Sequence, residues 1–131
     1  MADLVVVVDN GLDHVADAIL ALGVTAPKWI EWGIGAGAPD RTDAALGTPS
    51  AEARTVGTDS VVASVDTGAA ADTYRTIGTI TSLSDAHAVT EVGTWTNLID
   101  GVLFLRATFS AINLETGNSI EFTIDTKFAP A

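Results

Sequence analysis

The side chains able to do chemistry are few and scattered. His14 and His87 are the only histidines in 131 residues, and there is no cysteine. Two distant imidazoles among dispersed aspartates lack the close ligand spacing of zinc sites. Ser84, Asp85 and His87 have the types of a nucleophilic triad, but triad members converge from separated elements and these share one short loop. Asp9, Asn10 and Asp13 have calcium-binding side chains without the twelve-residue loop ending in glutamate, and the start of a helix uses the same residues as caps. They leave room for a divalent ion shared between subunits. Gly33, Gly35 and Gly37 follow a strand pattern, as phosphate loops do. Ala38, Pro39 and Asp40 then stand where a phosphate loop needs a lysine and a helix start, and Asp40 would repel phosphate. With no activated nucleophile and no convergent acid–base pair, the expectation is a chain that is not an enzyme and has no catalytic, metal or cofactor site.

The tryptophans are the most informative side chains. Trp29 and Trp32 fall on opposite faces of an alternating run, so both cannot face one small core. Core packing is the ordinary use of such residues. Tryptophan is also enriched at protein contacts, which makes Trp29, Trp32 and Trp95 the candidate interface residues.

The elements that must position these groups read mainly as strands. In residues 119–128, Ile120, Phe122, Ile124, Thr126 and Phe128 alternate with Glu121, Thr123, Asp125 and Lys127, the pattern of a strand with one wet face. Residues 102–113 put Leu103, Leu105, Ala107, Phe109 and Ala111 on one face. Gly117 and Asn118 lie in the polar joint between these runs, which predicts a hairpin with a loop of three to five residues. Residues 4–8 predict a short strand buried on both faces. Leu12, Val15, Ala16, Ile19 and Leu22 then recur at helical spacing, with Asp9 or Asn10 as cap and Gly23 and Pro27 at the end. Residues 28–34 alternate again and run into a glycine-rich flexible loop, after which residues 40–46 suit one helical turn. Short strands are expected at 51–56 and 59–65 around Gly57, with a surface loop at 67–72. A further strand follows at 73–83, with Gly78 as a bulge, and another at 89–95. Short strands at such intervals indicate a single domain over residues 1–131, an antiparallel β-sandwich or jelly-roll-like fold with one short N-terminal helix.

Composition narrows the partners. The formal net charge is −11 with only six lysines and arginines. Nucleic acid and anionic membrane surfaces are both disfavoured by that balance. No run approaches the roughly 20 apolar residues that span a bilayer, and no basic region precedes residues 4–8 as in a signal peptide. Such acidity with two lysines also fits a protein kept soluble at high salt.

A set of short motifs in order resembles a known family. Asn10-Gly11-Leu12 is followed by Pro27-Lys28-Trp29-Ile30, Trp32-Gly33-Ile34-Gly35, Ala38-Pro39 and Thr42-Asp43-Ala44-Ala45-Leu46. Glu52-Ala53-Arg54 comes next, and the C-terminal third supplies Val89-Thr90-Glu91-Val92-Gly93, Gly101 to Phe109 with Arg106 inside it, and Gly117 to Phe122. The order and spacing are similar to those of small tail-fibre-type structural proteins of tailed bacterial and archaeal viruses, from which Glu31 and Asp100 depart. The resemblance implies a virion component that assembles as a homo-oligomer and with other virion structural proteins. Related small β-domains also serve as capsid decorations and vertex turrets. The same scheme sets Glu91 and Arg106 in paired strands, a cross-strand pair worth at most about 1 kcal/mol if exposed. An alternative from another class is a carbohydrate-binding module for host attachment, with the tryptophans as its stacking platform.

Overall fold

The computed structural model describes residues 4–11, 15, 18, 25–63, 73–84 and 87–128. Its strands are β1 (Leu4–Val7), β2 (Trp29–Gly33), β3 (Thr55–Val56), β4 (Thr58–Val62), β5 (Thr73–Thr81), β6 (His87–Trp95), β7 (Leu103–Leu114) and β8 (Ser119–Lys127). They form two antiparallel sheets packed face to face. The larger has the order β1-β7-β6-β2-β3 and the smaller β4-β5-β8. The expected mainly-β, sandwich-like architecture is what is found. Residues 9–11, 15 and 18 are helical, while the rest of the predicted N-terminal helix and the 67–72 loop lie outside the described residues.

The core lies between the sheets. Ile30 and Trp32 of β2 and Val92 of β6 meet Ile80 of β5, with Ile120, Phe122 and Ile124 of β8 packed against them from the smaller sheet. Phe109 and Phe122 close the contact with ring centroids 5.8 Å apart. The strand β8 follows its sequence pattern: Ile120, Phe122, Ile124 and Thr126 are half-buried, and the intervening residues are exposed. Phe128, expected on the same inner face, lies past the strand end and is exposed.

Several expectations are corrected. The runs ending at Leu114 and starting at Ser119 are not a hairpin, because β7 pairs with β1 and β6 while β8 pairs with β5. The joint between them is an arch from one sheet to the other. Alternation reports that a strand has one buried face, and two such faces meet equally well across a core as side by side. The strand β1 is not buried on both faces. It is an edge paired to β7, with Val5 55% exposed and Val8, just past its end, fully buried. Gly78 is no bulge, since β5 and β8 keep nine consecutive pairs in register. Its missing side chain makes room for Ile30, whose Cδ1 would lie 2.5 Å from a Cβ at that position. The register shifts fall instead between Val89 and Glu91 and between Thr94 and Trp95. Residues 40–46 form no helical turn. The Asp43 amide bonds the Asp40 carbonyl at 3.0 Å and the Asp40 side chain accepts from the Thr42 amide at 2.8 Å, a local turn that competes with helix.

The two expected strands around Gly57 are one strand path that changes sheet. Gly57 donates to the Lys28 carbonyl at 2.7 Å, and a Cβ there would lie 2.9 Å from the Ile77 carbonyl oxygen. Glycine permits that close crossing. The crossing ties the two sheets together along the β3–β4 side, leaving the β1 and β8 edges on the other.

Candidate functional site

The sheet face turned away from the core carries the densest chemistry. Two residues of β6 and β7 start it. Glu91 is paired with Gly33 across β2, and Arg106 with Gly93 across β6. Because both partners are glycines, the long side chains have space to fold over the sheet. The chain leaving β2 then closes over them.

Glu91 is fully buried. Its Oε1 accepts from the Gly35 amide at 3.1 Å and the Thr48 amide at 2.8 Å. Its Oε2 accepts from the Gly47 amide at 3.0 Å and from Arg106 Nε at 2.9 Å. Arg106, 4% exposed, also brings Nη2 to Glu91 Oε2 at 2.8 Å and reaches the loop with both terminal nitrogens: Nη1 donates to Asp43 Oδ2 at 2.9 Å and Nη2 to the Gly37 carbonyl at 3.0 Å. Thr90 adds a bond from its hydroxyl to the Gly35 carbonyl at 2.7 Å. A Cβ at Gly33 or Gly35 would sit 2.5 or 2.6 Å from Glu91 Oε1, so those glycines are required by close approach. The glycine-rich loop expected to be flexible is thus an anion cradle, and its anion is a carboxylate of its own chain.

Burial by itself would raise the Glu91 carboxyl. The Thr48 and Gly47 amides and the Arg106 guanidinium outweigh it and hold the group below its ordinary value. Burial likewise works against the charge on Arg106, and Asp43 and Glu91 more than offset it. A carboxylate that is lowered on folding contributes stability above its unfolded value and loses it as pH falls through the folded one. The loop from Gly35 to Thr48 should therefore be protected from amide exchange near neutral pH and open on acidification below the ordinary carboxylate value of 4.5. Exchange measured across that range checks this, with Glu91→Gln expected to be open and pH-insensitive; protection that survives deep acid in the parent would refute it.

A second cluster lies on the same face around Trp29 and Trp95, which are cross-strand neighbours. Trp95 packs with Val8 and Leu103 and is 7% exposed. Its indole N–H donates to Glu31 Oε1 at 3.0 Å, and the Arg54 guanidinium lies 3.7 Å over its ring. Arg54 also bridges to Glu31 Oε2 at 3.5 Å and donates to the Asn97 and Asp100 carbonyls at 2.9 and 2.7 Å. Glu31 and Asp100, the departures from the resembling family's pattern, are therefore both partners of Arg54. Asp100 has φ 58°, and Gly101 follows at 76°, which turns its carbonyl onto that arginine.

The structure thus brings Trp29 and Trp95 together and places Trp32 on the opposite, core face at 3% exposure, against His87 with centroids 5.0 Å apart. Stacking a sugar requires a free indole face; Trp32 is buried and Trp95 is covered by Arg54, leaving only half-buried Trp29 partly open among the three. His14, Asp13 and Asp85 lie outside the described residues, while Asp9 is bridged by Arg41 at 3.3 Å. Among the described residues no group of three or more histidine, aspartate or glutamate side chains is placed to hold a metal ion. Sequence reasoning paired Glu91 with Arg106 and missed Asp43, Gly47 and Thr48 as their partners. The signal available was the glycine spacing itself, which marks backbone N–H groups able to converge on an anion.

Chemically, the arrangement is an anchor. Every oxygen of Glu91 is occupied, the group is closed to solvent, and its proton is absent at neutral pH. The class defined by fold and site is an antiparallel β-sandwich with an internally neutralised ionic lock. Compared with protein-family models, curated proteins and solved structures, the chain matches none of them.

Proposed function

We propose that this chain is a non-enzymatic structural subunit of a tailed-virus particle, working by assembly with copies of itself and with neighbouring virion proteins. The observation that carries the reading is where the chain spends its charge. Arg41, Arg54, Arg75 and Arg106 each sit against a carboxylate of the same chain. The buried pair among them holds a loop to a sheet. Such use of charge builds a rigid block with an acidic exterior, which agrees with the motif resemblance and offers nucleic acid no basic patch. A capsid decoration or turret subunit is the rival placement within the same class.

The test is electron microscopy of purified particles carrying a labelled copy of this chain. Label on fibre or baseplate supports the tail placement, and label on the head shell moves the subunit to the decoration or turret role. Particles without label, with the chain recovered only free, would overturn the structural reading.

A further inference from the structure

The two sides of the sandwich differ. On one side the chain itself crosses between sheets at Gly57. On the other, five strands face three, so β7 and β1 extend past β8. Val15 and Phe104 line a hollow at one end of this overhang. At the other end a cleft of about 450 Å³ opens between the inner faces of β1 and β7 and the edge of β8, lined by Val5, Val92, Ala107, Ile112, Phe122 and Ile124 among others. Val5 and Ile112 are 55% and 41% exposed at its mouth.

The edge of β8 that borders the cleft is built for pairing. Among the described residues β8 pairs only with β5, along nine residues without a register break. It contains no proline and no bulge, its charged residues Glu121, Asp125 and Lys127 lie on the wet face, and among the described residues no strand covers this edge. A strand added there would alternate in step with β8, every second side chain pointing into the cleft beside Phe122 and Ile124. A second copy of β8 would bring its own five-stranded sheet with it. The slot suits a lone extended segment. The chain's net charge of −11, with its arginines already engaged, attracts a basic one.

We propose that the cleft beside β8 is a strand-addition site for an extended segment of a neighbouring protein, alternating apolar with basic residues. This deepens the structural-subunit reading by naming the kind of contact through which the subunit is joined.

A labelled peptide of alternating valine and lysine is the probe, with a peptide of the same composition in two blocks as its control. Fluorescence anisotropy should show binding of the alternating peptide at least about tenfold tighter than the block peptide, weakening as salt screens the charge. Val5→Lys and Ile112→Lys, both at exposed positions of the cleft mouth, should each weaken binding about tenfold or more, and Val61→Lys on the far β4 edge should not. Amide exchange should slow along β8 in the bound state. Equal binding of the two peptides, or equal loss with Val61→Lys, would reduce the effect to bulk charge and overturn the proposal. Failure of the peptide with the chain present in particles would sink the slot alone; binding with the chain absent from particles would sink the virion reading alone.

Discussion

Arg106→Ala should lose about 3–5 kcal/mol of folding stability, because it strands a fully buried carboxylate. Arg75→Ala is the matched control. Arg75 makes an equally short, two-nitrogen pair with Asp125, at 2.8 and 2.9 Å, but both side chains are about a third or more exposed. An exposed pair contributes little, and its loss should be correspondingly small. Removing both members of the buried pair, as in Glu91→Leu with Arg106→Leu, should not restore the parent's stability. In many proteins such a replacement is neutral, but here it would leave the amides of Gly35, Gly47 and Thr48 without their acceptor, each costing about 1–3 kcal/mol if kept buried. The loop should therefore lift off the sheet in the double variant, and exchange of those amides would report it. Urea unfolding of the variants decides the matter. Equal losses at Arg75 and Arg106 would mean that Glu91 is solvated, and the anchor reading would fall.

Trp32→Ala should be comparably damaging, at about 3–5 kcal/mol, since it removes a large indole that is 3% exposed between the sheets. Trp29→Ala should cost less, because Trp29 is only half-buried and retains Trp95 and Leu103 as neighbours of the gap. The comparison separates core from contact use of these residues. A core role for Trp32 predicts a lowered unfolding midpoint with the oligomeric state of the folded protein unchanged. A contact role predicts the reverse, and light scattering alongside the denaturation curves distinguishes them. Unchanged stability with dissociated oligomers in Trp32→Ala would contradict the packing described here.

Local sequence determined a good deal. The alternation in residues 119–127 assigns the inner face of β8 residue by residue, because side chains of a strand point to opposite faces with a period of two. The same rule separates Trp29 from Trp32. Glycine at position 57 marks the change between two short strands, and the acidic balance sets the character of the exterior. None of these depends on which strand lies beside which.

Pairing and burial were decided only by the tertiary structure. The runs at β7 and β8 read alike as neighbours in one sheet or as opposite layers of a core, and the choice rests on β5 and β6, which compete for their edges. The β-branched run of β1 reads as central or edge for the same reason. Glu91 stands in Val89-Thr90-Glu91-Val92-Gly93 at an alternate position, where a carboxylate ordinarily faces water. It became the most buried charge described because residues some 40 to 60 positions earlier fold over it, bringing three amides at 2.8–3.1 Å. Alternation states that a side chain leaves the sheet on one side. What then covers that side depends on long-range contacts, which no local window contains.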